Sequence, residues 1–361
     1  MGPCYARKLN EKFNEYGKQM THSDESETVL VTGGTGYLAG WVIVSLLQHG
    51  YRVRTTVRSL GKADQVRKAV SGRAGQEAAK GIEFAVADLL SEEGWDRAFD
   101  GVHYVLHTAS PMPFQSGVDL IRTAREGTRR VLGAAARAGV KRAVLTSSGQ
   151  AAGAGDPGTP VTETAYAEPS GTPQRVYPDS KILAERDAWE LAEETGLELS
   201  AVLPTFMQGP PLGARHGAGT TDVIRRLLDR DIPAVPNIGW NVVDVRDVAE
   251  LHLLAMTEPD AAGQRYLASG TFLWYRDIAR ILRDQLPDEA TRVPTRTMPD
   301  LIVRLLAPVN AQMAMVRSEL RRERLVDSSK ARTLGWRPRP IEQTIIDTAT
   351  ELLRANSSPS E

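Results

Sequence analysis

The segment Thr32-Gly33-Gly34-Thr35-Gly36-Tyr37-Leu38-Ala39-Gly40 lies between a β-branched apolar run and an apolar helical pattern, and few folds accommodate it. Gly33 has no Cβ and can turn the chain sharply, and Gly36 lets the backbone approach a pyrophosphate closely. Ala39 is small enough for the following helix to pack tightly on a sheet. The free amides and positive end of that helix would then face an anion. A tight strand–helix turn could use the same glycines without any ligand. A strand before it, a helix after it and a place at the head of an alternating pattern point instead to dinucleotide binding. Gly33, Thr35, Gly36, Tyr37 and Leu38 are the candidate contacts.

From Thr28 the chain alternates short apolar runs with longer helical patterns. Strands are expected at Thr28–Gly33, Tyr51–Val57, Ile82–Asp88, His103–Ala109, Arg142–Ser148 and Leu197–Pro204. Helices are expected near Tyr37–His49, Lys62–Ser71, Glu92–Phe99, Val118–Ala138 and Tyr177–Thr195. Continuous apolar strands with helices between them predict an α/β fold, a doubly wound parallel sheet of the Rossmann type. After Pro204 the regularity weakens. Gly209–Gly219 reads as a loop, followed by helices at Asp222–Asp229, Asp247–Met256, Tyr275–Gln285, Pro299–Ala307 and Ile341–Arg354. Short strands are expected at Trp240–Val245 and Gln264–Ala268. This predicts a nucleotide-binding domain over residues 28–204 carrying the catalytic residues. Residues 205–355 are expected to be mostly a smaller substrate lobe, with segments returning to the first domain. Residues 1–27 and 356–361 are expected to be disordered tails, with Met20 an alternative initiation point.

A net charge of −1 gives no overall field toward nucleic acid or an anionic membrane. No apolar run approaches the roughly 20 residues needed to span a bilayer. One cysteine, Cys4, and six scattered histidines give neither a disulfide framework nor metal-ligand spacing, so no metal is expected and a reducing cytoplasm is the natural compartment. A monomer or homodimer acting on a small molecule is expected.

The second strand narrows the cofactor. Tyr51–Ser59 contains no acid, and Arg58 stands where NAD enzymes of this architecture place the carboxylate that grips a ribose 2′-hydroxyl. A guanidinium there would pair with a 2′-phosphate, so NADP(H) is favoured, with Lys62 assisting. Arg52 and Arg54 read as ordinary strand residues.

Tyr177 and Lys181 form a Tyr-x-x-x-Lys pair at the start of a long helix, where residues four apart share a face. A cation near a phenol stabilises the phenolate and makes it a better proton shuttle near neutral pH. The strand from Arg142 delivers Thr146-Ser147-Ser148 to the carboxyl end of the sheet, where a hydroxyl can bind a carbonyl oxygen beside Tyr177.

These pieces, in this order, resemble the extended short-chain dehydrogenases/reductases. The resemblance rests on VTGGTGYLAG, Ala87-Asp88-Leu89, His107-Thr108-Ala109-Ser110-Pro111, LTSSG, YPDSK and Leu203-Pro204-Thr205. Within them the chain is most similar to the dihydroflavonol reductase and cinnamoyl-CoA reductase branch with its microbial aldehyde and ketone reductases. Val243–His252 and Asp327–Lys330 followed by Leu334-Gly335-Trp336 extend the likeness to about Leu353. The resemblance implies NADPH-dependent reduction of a ketone or aldehyde, reversible in principle. Ser148 would orient the carbonyl, with Ser147 its rival. Tyr177 would donate the proton, and Lys181 would lower its pKa and hold the nicotinamide ribose. Asp88 and Leu89 would contact the adenine end, and Ala109 and Pro204 would flank the path to the nicotinamide. Gly153 stands where plant dihydroflavonol reductases carry an asparagine, which argues against a dihydroflavonol substrate.

His107 is expected to be a satisfied core histidine, His216 a loop residue, and Phe206 and Trp240 either packing or site-lining residues. The basic cluster Arg317–Arg324, with Glu319 and Glu323 among its arginines, reads as a solvated helix face. The same catalytic groups serve sugar-nucleotide epimerases and hydroxysteroid dehydrogenases, against which Arg58 weighs. A non-catalytic NADP sensor would be expected to lack the Tyr177/Lys181 pair.

Overall fold

The computed structural model describes residues 27–111, 119–153, 155, 158–213 and 219–357. Residues 1–26 and 358–361, with Cys4 and Met20 among them, and His216 lie outside these residues; of the expected tails, Glu27 is ion-paired with Lys141, and 356–357 continue the last helix. Seven parallel strands form the main sheet: β1 (Thr28–Val31), β2 (Arg52–Val57), β3 (Glu83–Val86), β4 (Tyr104–His107), β5 (Arg142–Thr146), β6 (Leu199–Pro204) and, much later in the chain, β9 (Arg265–Ala268). Their order is β3-β2-β1-β4-β5-β6-β9. The order reverses between β1 and β4, and such a switch point opens a crevice at the carboxyl ends of the strands.

Both faces are covered, which is why the strands are apolar throughout. On one face lie α1 (Tyr37–Gln48) and α2 (Ala63–Ala74), followed by the short α3 (Gln76–Lys80). On the other lie α4 (Trp95–Phe99), α5 (Leu120–Arg137) and α6 (Val176–Thr195). Leu30, Val31, Leu106 and Val144 are fully buried between these layers.

After β6 a single residue, Thr205, separates the main sheet from β7 (Phe206–Gln208), which belongs to a second sheet. That sheet has the order β10-β8-β7, with β8 (Gly239–Asp244) parallel to β7 and antiparallel to β10 (Thr271–Trp274). Helices α7 (Asp222–Leu228), α9 (Tyr275–Gln285) and α13 (Ile341–Ser357) enclose its core around Ile224, Ile278 and Ile345. Phe206 and Trp240 stack with centroids 4.8 Å apart, and Tyr275 meets Trp240 edge-on, so these rings pack with one another and with that core.

Helix α8 (Val245–Thr257) returns to the α1 face of the main sheet. Trp336 clamps it there: the indole is buried and donates to the Asp247 carbonyl at 2.7 Å, while the Asp247 carboxylate accepts from the Arg339 amide. The remaining helices are α10 (Asp300–Leu306), α11 (Ala311–Glu319) and α12 (Ser329–Thr333). The Arg317–Arg324 cluster is not one helix face. Helix α11 ends at Glu319, Arg321 is left-handed with φ of 56° and pairs with Asp300, and Arg324 turns back onto Glu319. Among the described residues, no helix is long and apolar enough to cross a membrane.

Candidate active site

The phosphate loop is built by crowding. Gly33 has φ of +73°, and a Cβ there would lie 3.0 Å from the Ala109 Cβ. At Gly34 a Cβ would fall 2.3 Å from the Thr55 hydroxyl oxygen, so this glycine, not singled out by its motif position, is as constrained as its neighbour. The Gly33 amide donates to the Thr56 hydroxyl and the Gly34 amide to the Thr56 carbonyl, both at 2.9 Å. Gly36 supplies space rather than a donor, because its amide closes on the Gly33 carbonyl at 2.8 Å. The donors left for an anion include those of the first turn of α1, among them Tyr37 and Leu38, which have no intrahelical acceptor. Their side chains are engaged elsewhere. Leu38 is in the core, and the Tyr37 hydroxyl donates to the Gly209 carbonyl at 2.7 Å. Thr35 and Gly36 form the exposed tip, and Ala39 is buried against the sheet.

The carboxyl ends of β1 and β4 are laced together beside this loop. Thr32 Oγ1 accepts from the Ala109 amide at 3.0 Å and shares a 2.8 Å hydrogen bond with His107 Nδ1. The Thr108 hydroxyl donates to the Thr32 carbonyl at 2.6 Å. Burial, reinforced by the nearby Lys181 ammonium, drops the His107 pKa to about 3, so the ring is neutral, as expected of a core histidine. His252 is likewise held neutral by burial, with a pKa of about 4. Its Nδ1 lies 2.8 Å from the Val248 carbonyl, which can only accept, so Nε2 accepts from the Thr146 hydroxyl at 2.7 Å.

Arg58 follows the last residue of β2 and is exposed, as are Ser59 and Lys62 in the turn after it. Neither Arg58 nor Lys62 is ion-paired among the described residues, whereas Arg54 is tied to Glu83. Asp88 is half-buried beyond β3, and one carboxylate oxygen accepts from the Leu90 amide at 2.9 Å. Leu89 packs against Gly127 of α5. Pro204 is buried as the last residue of β6, and its carbonyl lies against Gly149.

The two serines after β5 separate cleanly. The Ser147 hydroxyl donates to the Glu185 carboxylate and is thereby spent. Ser148 Oγ accepts from the Gln150 amide at 3.2 Å, capping the turn at 149–152, which leaves its hydroxyl proton free to donate. That turn packs against α6, whose first residues carry Tyr177 and, one turn on, Lys181. The Asp179 carboxylate fixes the entry to the helix by accepting from the Ser170 and Gly171 amides at 3.0 and 2.8 Å.

The expected lowering of the Tyr177 pKa by Lys181 is not found in the protein alone. Burial dominates and pushes the phenol up from its ordinary value, with no offset from the lysine. Burial also acts on Lys181, lowering it to about 8, partly opposed by the Glu185 carboxylate. Sequence reasoning missed Glu185, which accepts from Ser147, from Arg265 at 2.6 Å and from Trp189 at 3.2 Å. Its spacing of four from Lys181 was visible, but Arg265 lies 80 residues away.

The glycine cradle, the first-turn amides and an Arg58 without an ion-pair partner among the described residues together fit a phosphorylated dinucleotide. Residues 29–268 match the NAD dependent epimerase/dehydratase family. Cinnamoyl-CoA reductase 1 of Oryza sativa subsp. japonica is 36% identical over 271 residues, covering 74% of this chain and 78% of that protein. Tetraketide alpha-pyrone reductase 2 of Arabidopsis thaliana is 34% identical over 270 residues, covering 72% and 83%. Among solved structures, the yeast methylglyoxal/isovaleraldehyde reductase Gre2 complexed with NADPH superposes with a TM-score of 0.73 at 25% identity, over 91% of this chain and 99% of that one.

Proposed function

Because the chain belongs to the NAD dependent epimerase/dehydratase family, the extended short-chain dehydrogenases/reductases, we propose that it reduces a ketone or aldehyde to an alcohol with NADPH. The observation that carries this reading is that the turn capped by Ser148, whose hydroxyl proton is unspent, packs against the start of the helix that carries the half-buried, protonated Tyr177 phenol. The named activities of the relatives and the NADPH of the yeast structure point the same way.

In this reading the first-turn amides at Tyr37 and Leu38 bind the pyrophosphate, and Arg58 and Lys62 bind the 2′-phosphate. Asp88 and Leu89 border the adenine end, and Ala109 and Pro204 border the nicotinamide end. When bound, NADPH supplies the hydride. Ser148 donates to the substrate carbonyl oxygen and fixes its orientation. Tyr177 donates to the same oxygen and gives up its proton as negative charge develops there. Lys181 supplies the positive charge that stabilises the phenolate left behind. Residues 28–204 carry this machinery, and residues 205–355 mostly shape the substrate pocket.

The serine assignment is the accessible test. With an aldehyde and ketone panel, Ser148→Ala should lower kcat by about 10²-fold without loss of stability. Ser147→Ala should lower kcat by less than about tenfold, because Arg265 still holds the Glu185 carboxylate, and should cost about 1–3 kcal/mol of stability through the lost buried donor. The reverse ranking of the two kcat values would overturn the assignment.

A further inference from the structure

Lys181 is 8% exposed and makes no hydrogen bond among the described residues. A buried ammonium without an acceptor is costly to keep charged. The residue one helical turn further on is Glu185, 2% exposed, so Tyr177, Lys181 and Glu185 run along one stripe of α6. The Glu185 carboxylate is held from three sides. Arg265 of β9 donates its Nε to one oxygen, Ser147 of β5 donates its hydroxyl to the other, and Trp189 donates from the next turn of the helix.

Arg265 is itself locked. It donates to the carbonyls of Glu163 and Ala165 at 2.6 and 2.7 Å, and its guanidinium lies 3.9 Å from the centre of the Tyr166 ring. Lys181, Glu185, Ser147 and His107 meet around a cavity of about 10 Å³, no larger than one water molecule. The charged and titratable groups here are few. Neutral His107 faces Lys181 from β4, Arg265 comes from β9, and Glu163 is turned away to accept from the Leu267 amide.

We infer that Glu185 is a positioning residue of the active site. Clamped by Arg265 and Ser147, its carboxylate is the counter-charge that keeps Lys181 an ammonium beside Tyr177. Arg265 is the bracket that holds this carboxylate still, and β9 thereby has a stake in the chemistry. The direction is consistent with the electrostatics, because burial lowers Lys181 and Glu185 raises it again. Lys181 is charged below its midpoint, so removing the carboxylate shrinks the pH range over which the ammonium persists.

The importance of Lys181 rests on the reductase reading, but the test does not use turnover. The Lys181 side-chain carbon resonance of lysine-labelled protein, identified by its loss in Lys181→Arg, is followed between pH 6 and pH 10. The wild type is expected to titrate at about 8. In Glu185→Gln the midpoint should fall by about one pH unit or more, a tenfold change in the ammonium-to-amine ratio. In Glu185→Asp, which keeps the charge, it should stay near wild type. Should Glu185→Gln fail to fold, Arg265→Met keeps the carboxylate and removes the guanidinium that competes for it, and the Lys181 midpoint should then rise. An unchanged midpoint in either folded variant would overturn the inference, as would an equal fall in Glu185→Asp. Failure of the reductase reading would show instead as absent carbonyl reduction with these midpoints intact.

Discussion

Tyr177→Phe is expected to lower kcat for carbonyl reduction on the order of 10³-fold while leaving NADPH affinity essentially unchanged. The substitution removes one oxygen and keeps the ring, so α6 should retain its packing. What it removes is the proton that meets the developing alkoxide. Burial raises the Tyr177 pKa, so across neutral pH the phenol is already in the form that reduction requires. The same burial opposes the phenolate needed for alcohol oxidation, so the wild-type oxidative rate should climb with pH where the reductive rate does not. Steady-state kinetics with NADPH and an activated ketone check the first statement, alongside NADPH binding by fluorescence. A variant that keeps more than a tenth of wild-type kcat would remove Tyr177 from the role of proton donor.

Arg58→Ala should reduce kcat/KM for NADPH by about 10–100-fold and change the value for NADH little. The guanidinium follows the last residue of β2, exposed and without an ion-pair partner among the described residues. The first acid beyond it, Asp64, pairs with Arg67 on α2 and is not placed as a 2′-hydroxyl acceptor by that contact. A bare 2′-hydroxyl therefore neither gains nor loses much when Arg58 is truncated, whereas a 2′-phosphate loses a charged partner. Equal losses with both cofactors would mean that Arg58 supports the loop rather than reading the phosphate.

The main sheet was legible because its signals are local. Each strand is a short apolar run, each crossover a helix, and the glycines fall where crowding against Thr55 and Ala109 demands them. The second sheet was harder to see. With only Thr205 between β6 and β7, two strands of different sheets read as one run followed by a loop. Strand β10 is short and follows Gly270, where a Cβ would lie 2.2 Å from the Val242 carbonyl oxygen; the residue is explained only by a partner strand distant in sequence. The Arg317–Arg324 cluster misled because charge alternation does not mark where a helix stops. Here Arg321 breaks it with a left-handed backbone.

In the site, residue types at fixed spacing were readable and long-range partners were not. Tyr177 and Lys181 stand out by their spacing, but nothing local shows that Ser147 is committed to Glu185, or that Arg265 arrives from β9 to hold that carboxylate. Those contacts distinguish Ser148 from Ser147 as the free donor. The phenol's pKa was also beyond sequence, because it depends on how deeply the ring is buried rather than on the lysine alone.

The most direct test of the account is hydride transfer itself. NADPH deuterated at C4, with each diastereomer used in parallel, would be incubated with the protein and a panel of aromatic aldehydes and activated ketones, and the alcohols examined by mass spectrometry and NMR. The account predicts one deuterium on the carbinol carbon for each NADPH consumed, from one diastereomer only, and none with Tyr177→Phe above background. Saturable NADPH binding with no deuterium delivered to any carbonyl, or turnover of a nucleotide sugar without net NADPH consumption, would contradict it.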